Sequence, residues 1–252
     1  MTDTPRKNII DLNCDLGEGI STDADILPLI SSANIACGFH AGDAEILKRT
    51  VDACLKNKVA AGAHPSFKDK ENFGRNEMVL NEFQLYDIIC DQLYFFEDIA
   101  FPMGCIMHHV KLHGALYNMA AKDAAMAAVI IRAIKDFDEN LILYGLSGSL
   151  LLQMAEDEGL KTARETFADR TYQDDGSLTP RSQAGALLKD ADAVIKQALQ
   201  MVENGTVTAL SGKIIQLKTD TICLHGDGEN ALLFAKELNH HLKAASFYIN
   251  AV

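Results

Sequence analysis

The chain has 252 residues, 48% of them hydrophobic, with six cysteines and no tryptophan. Its 23 Lys and Arg against 35 Asp and Glu leave a net charge of −12, which repels phosphate backbones and argues against nucleic acid as a partner. The length can bury a full core and no Pro-, Gly- or Ser-rich linker divides it, so one domain over residues 1–252 is expected.

Short apolar runs alternate with helical patterns along the chain. Asn8-Ile9-Ile10 leads into Asp11-Leu12-Asn13-Cys14-Asp15, and a second polar cluster runs from Asn34 to Asp43. Asp43 suits the N-cap of a helix reaching about Lys56, with Leu47, Val51, Cys54 and Leu55 on one face. Val59-Ala60-Ala61 then precedes Gly62-Ala63-His64-Pro65-Ser66, and residues 68–78 form a charged loop holding Phe73-Gly74-Arg75. Asn81 is placed to cap the next helix, which Pro102-Met103-Gly104 stops.

Cys105-Ile106-Met107 leads to Lys111-Leu112-His113-Gly114, followed by expected helices from about Lys122 to Lys135 and from about Gly148 to Glu158. Glu165-Thr166-Phe167-Ala168-Asp169-Arg170 opens a long polar loop to Arg181, with a turn at Asp175-Gly176. A helix is then expected from Gln183 to Glu203. Thr221-Ile222-Cys223-Leu224 precedes His225-Gly226-Asp227, where Asp227 suits an N-cap, and a last helix spans about Glu229 to Leu242. Strand, loop and helix recurring in this way predict an α/β fold with a parallel sheet, closed or open.

In such folds the strand exits lie together, so the polar clusters are expected to share one cleft. Strand alternation puts Asp11, Asn13 and Asp15 on one face, and His109, Lys111 and His113 on another strand's face. Lys111, at the end of an apolar strand, needs a carboxylate or an anionic ligand to offset its desolvation. Asp11 or Asp15 could act as general base on water, and each could equally pair with Lys111. His40 and His64 are candidates for metal binding, proton transfer or loop fixing, while Glu165, Asp169, Arg170 and His225 suit substrate binding or a capping network. No Gly-x-x-x-x-Gly-Lys-Ser/Thr, Gly-x-Gly-x-x-Gly or Gly-x-Ser-x-Gly motif is present, which removes the standard nucleotide cradles and the serine-hydrolase elbow.

The most apolar stretch, Ala124 to Ile134, is broken by Arg132 and too short to span a bilayer. Residues 1–7 carry no hydrophobic signal core, and the cysteines form no Cys-x-x-Cys pair. A reduced cytoplasmic compartment is expected, with no membrane partner.

DLNCDLGE (11–18), SANIACGFHAGD (32–43), GAHPSF (62–67), FGR (73–75), VKLHGALYN (110–118), ETFADRTY (165–172) and CLHGD (223–227) resemble the LamB/YcsF family in order. Asn76 and Leu112 stand where that family usually has Arg and Pro, and the segment after Glu18 is shorter than usual. The resemblance implies a seven-stranded (β/α) barrel of the glycoside hydrolase/deacetylase type. It also implies the activity characterised in that family: the A component of ATP-dependent 5-oxoprolinase, working with B and C subunits on a small lactam. On that basis Asp11, Asp15, Lys111 and His113 are the expected catalytic residues. Asn13, His40, His64, Glu165, Asp169 and His225 are expected around the substrate, and Arg75, Arg170 and Arg181 around ATP as co-substrate. A divalent metal, if bound, would take Asp15, His40 and His64. The alternatives are a metal-dependent carbohydrate or amide hydrolase and a non-catalytic scaffold.

Overall fold

The computed structural model describes residues 8–226, 228 and 230–252; Asp227 and Glu229 lie outside the described residues. Among the described residues, ten strands and eight α-helices follow one another. The first half holds β1 (Ile9–Leu16), α1 (Asp23–Ile26), β2 (Ser32–Ala36), α2 (Ala44–Asn57), β3 (Ala60–His64), α3 (Glu82–Ala100), β4 (His109–Lys111), α4 (Gly114–Ala120) and α5 (Ala124–Asp138). The second holds β5 (Ile142–Leu146), α6 (Leu150–Asp157), β6 (Lys161–Phe167), α7 (Ala191–Asn204), β7 (Thr206–Thr208), β8 (Ile214–Gln216), β9 (Thr221–His225), α8 (Ala231–Ala244) and β10 (Tyr248–Ile249).

Strands β1-β2-β3-β4-β5-β6-β9 are all parallel, and pairing of β9 with β1 closes them into a seven-stranded barrel, as the resemblance implies. β10 extends the sheet beside the start of β1, and β7 and β8 form a separate antiparallel hairpin. Apolar strand residues such as Leu12, Ile35, Val110, Leu143 and Ile222 are fully buried in the main apolar core. The opposite parity is polar. In register, Asp11 faces Thr221, Asn13 faces Cys223 and Asp15 faces both His225 and Asn34. Laterally paired residues point to one side of a sheet, so this polar set fills the barrel interior.

The expected caps hold: Asp43 accepts from the Ile46 amide at 2.9 Å, and Asn81 with Gln84 forms a capping box on α3. One helix start is corrected. α7 begins at Ala191 rather than Gln183, because Asp190 caps it, Gly185 is left-handed and the Leu188 amide donates to the Asp169 carbonyl. Leu187 likewise bridges Arg170, so an apolar pair that fits a helical face serves the long loop instead. No helix among the described residues is long and apolar enough to cross a membrane.

Candidate active site

The polar interior is stacked in layers along the barrel axis. In the lowest, Asp11 accepts from the Ser31, Ser32 and Thr221 hydroxyls at 2.5–2.8 Å. Burial pushes its carboxyl up from the ordinary value, against these hydrogen bonds. Asp11, expected among the catalytic residues, lines no part of the cavity at the barrel mouth. Above it, Asn13 donates to Thr221 at 2.6 Å and accepts from Asn34 at 2.7 Å, while His109 contacts Asn34 at 2.8 Å. Asn13 is therefore held inside the barrel rather than at the cavity surface.

The next layer carries the charge. Lys111 Nζ, 2% exposed, lies 2.7 Å from Asp15 Oδ1, 2.9 Å from Glu165 Oε1 and 2.9 Å from Cys223 Sγ. Its hydrogen-bond acceptors are Asp15 Oδ1, Cys223 Sγ and, at 3.4 Å, Asn13 Oδ1, which match the three ammonium protons, while Glu165 is an ion-pair partner whose carboxylate oxygens have no hydrogen-bond partner among the described residues. The expected pairing with Asp15 is present and Glu165 is the second partner, whereas Asp11 is not. Burial opposes ionisation of Asp15, but the neighbouring His64 and the Lys111 ammonium outweigh it and hold the carboxyl well below the usual range. Burial would lower the Lys111 ammonium, and Asp15, Cys223 and Glu165 raise it well above its ordinary value instead. Cys223 keeps its proton, since burial lifts the thiol despite Lys111.

At the mouth, the rings of His40 and His113 stack with centroids 3.9 Å apart, and His64 meets both edge-on. His113 Nδ1 is 2.9 Å from His64 Nε2, and Glu18 Oε1 is 3.3 Å from His40 Nε2 and 3.6 Å from His113 Nδ1. Burial, then neighbouring His64, pushes His40 down to about 2; burial, His40 and His64 likewise depress His113. Glu18, His40, His64 and His113 offer four ligand atoms within 4.8 Å of one another. This differs from the expected set of Asp15, His40 and His64: Asp15 Oδ2 lies beside the group, 3.4 Å from His64 Nε2.

The cavity over these layers has a volume of about 890 Å³, of small-molecule size, and Asp15, His64, Lys111, His113 and His225 all reach it. His225 Nδ1 is 3.0 Å from both carboxylate oxygens of Asp169. The arginines divide. Arg170 also lines the cavity, but it donates to the Thr179 carbonyl at 2.6 Å and the Ala186 carbonyl at 3.4 Å, so its guanidinium clamps the 167–188 loop. Arg75 and Arg181 line the cavity and are exposed. Glu165 and Asp169 act one step back, on Lys111 and His225. The residues that sequence reasoning missed are Glu18 and Cys223. Cys223 shares the parity of Thr221 and His225, which would have placed it inside; Glu18 follows the end of β1, where alternation no longer reports direction.

The LamB/YcsF family pattern matches residues 10–252. The chain is 48% identical over 248 residues to the A component of 5-oxoprolinase from Tolumonas auensis, covering 96% of this chain and 99% of that one. It is 47% identical over 247 residues to its namesake from Bordetella pertussis, covering 96% and 98%. Among solved structures it is similar to a lactam utilization protein from Thermus thermophilus, with 37% identity, 97% and 100% coverage and a TM-score of 0.91. A family 4 carbohydrate esterase from Streptomyces lividans shares the fold alone, at 11% identity, 96% and 91% coverage and a TM-score of 0.52. Matched from the first barrel strand to its last residue, the chain belongs to the LamB/YcsF family.

Proposed function

We propose that this chain is the A component of an ATP-dependent 5-oxoprolinase, opening 5-oxo-L-proline to L-glutamate with B and C subunits. One observation carries the reading. An Asp15 carboxylate held ionised by Lys111 borders a cavity of small-molecule size, in a chain alike end to end to the A components of 5-oxoprolinases.

A five-membered lactam is an unstrained, resonance-stabilised amide, and its carbonyl is a poor electrophile. Transfer of the γ-phosphoryl group of ATP to the lactam oxygen releases ADP and leaves an activated carbon. Water adds to that carbon and gives its proton to Asp15. The C–N bond then breaks, and the ring nitrogen takes a proton from His225, which Asp169 orients. A second water releases phosphate from the resulting acyl phosphate, giving glutamate. Lys111, with its donors occupied, serves by keeping Asp15 charged and fixed, and not by meeting the substrate oxygen. Arg75 and Arg181 at the cavity are the groups for phosphate oxygens. The chain lacks a nucleotide cradle, so B and C supply what ATP binding requires. The six unpaired cysteines and the use of ATP fit a cytoplasmic enzyme. A mere scaffold would gain nothing from burying Lys111 among two carboxylates.

The test is ATP hydrolysis coupled to 5-oxoproline, with and without B and C. Negligible turnover by the chain alone and full turnover in the complex are expected. Full turnover by the isolated chain would overturn the proposed division of labour.

A further inference from the structure

Hydrogen bonding fixes the protons on two histidines, and the result is a conflict. His64 Nδ1 lies 2.8 Å from the Lys111 carbonyl and His113 Nε2 lies 3.0 Å from the Phe73 carbonyl. A carbonyl only accepts, so each of these nitrogens carries a hydrogen and donates it. In the neutral rings the remaining nitrogens, His64 Nε2 and His113 Nδ1, are then bare lone pairs, and they face each other at 2.9 Å. Glu18 Oε1 and Asp15 Oδ2 add two more acceptor oxygens at 3.3–3.6 Å from ring nitrogens of this group. His40 Nδ1, also buried, has no hydrogen-bond partner. The facing lone pairs of His64 and His113, with the orphan His40 nitrogen beside them, are the arrangement a bound cation would resolve.

A single proton on His64 would relieve one nitrogen pair and leave the buried His40 Nδ1 without a partner. A metal ion answers the three rings at once, and a Glu18 carboxylate oxygen lies within 4.8 Å of their ligand nitrogens. Imidazole nitrogens anchored through their second N–H to backbone carbonyls are the usual outer support of metal-ligating histidines. The support here is built at a cost. Phe73, which supplies one carbonyl, is a non-glycine residue at φ 56°, and adjacent Gly74 is at φ 64° with no room for a side chain against Ser66 and His40.

We propose that Glu18, His40, His64 and His113 form a binding site for one divalent transition metal of the zinc class. Three imidazoles and one carboxylate favour such an ion over Mg²⁺ or Ca²⁺, which prefer all-oxygen shells. Bound there, it supplies a Lewis acid at the cavity that His64 and His113 line. The site stands independently of the lactam reaction, because its test reads binding and not turnover.

The full-length chain, stripped with chelator, is titrated with Zn²⁺ and with Co²⁺, following heat and the visible absorption of cobalt. One equivalent per chain is expected, with a cobalt spectrum of nitrogen-rich, low-coordinate type. His113→Gln and, separately, Glu18→Gln should each weaken binding by about a hundredfold or more, as losing a ligand exceeds the loss from an outer-shell partner. Thermal unfolding in chelator checks that both variants fold; if His113→Gln does not, Glu18→Gln carries the comparison. No stoichiometric binding by the parent chain, or undiminished binding by the folded variants, would overturn the proposal. In that event a shared proton between His64 and His113 remains, visible as an imidazolium by nitrogen NMR.

Discussion

Replacing Lys111 with Met tests whether the ammonium is there chiefly for Asp15 and Glu165. Its two carboxylate contacts, at 2.7 and 2.9 Å, are each worth about 6 kcal/mol of Coulomb attraction at an effective dielectric constant of ~20. Desolvation of a buried ion returns several kcal/mol of this, so removal of one partner costs about 3–5 kcal/mol. For a chain of this size that lowers the melting temperature by roughly 6–20 °C. The loss carries a pH signature. In the parent, Asp15 is depressed below its unfolded value of about 3.9, so its stabilisation is present at neutral pH and lost as pH falls through the acid range. Without Lys111, His64 still opposes burial, so the depression of Asp15 is smaller and less of this stabilisation is present once pH is above the acid range. Urea unfolding at pH 3 and pH 8 should therefore show a larger gap between parent and variant at pH 8. A second change, Glu165→Gln, should restore part of the loss. A gap equal at both pH values, or below about 1 kcal/mol, would refute the reasoning, since that is the range of an exposed pair.

Gly74→Ala should be severe, because the added methyl would collide with Ser66 Oγ and sit 2.9 Å from His40 Cβ at a left-handed φ. A loss of activity in the assembled enzyme together with a lower melting temperature is expected, read by turnover and calorimetry. Asp11→Asn should cost about 1–3 kcal/mol through an unmatched hydroxyl, measured by urea unfolding, while turnover stays within about threefold. Arg181→Gln should raise the KM for ATP or 5-oxoproline with little effect on stability, whereas Arg170→Gln should lower the melting temperature by freeing the loop carbonyls of Thr179 and Ala186. Steady-state kinetics and thermal unfolding of the pair separate the two roles.

Much of the barrel was legible because a strand has a period of two residues. Asp11, Asn13 and Asp15 had to share a side, as did His109 and Lys111, and strand exits had to converge. Depth along that side was not legible: parity places Asp11 and Asp15 alike, yet only the register tells that Asp11 lies in the lowest layer and Asp15 at the mouth. Pairing across the barrel was hidden for the same reason, so Glu165, 54 residues beyond Lys111 in the chain, could not be assigned to it. Helix α4 was missed because seven residues offer too few turns for a periodic signal. The 183–190 stretch was overextended as helix because Leu187 and Leu188 fit a helical face while pairing locally with the loop. That Arg170 holds loop carbonyls was not legible, because a guanidinium in a polar loop looks the same whether it meets phosphate or backbone.

Glutamate formation from 5-oxo-L-proline by the complex with B and C, comparing the parent chain with Asp15→Asn, tests the central assignment most directly. A fall in kcat of about a hundredfold or more, referred to the folded protein, is expected with ATP still bound, because the substitution removes the base. Undiminished glutamate production by a folded Asp15→Asn chain would contradict it.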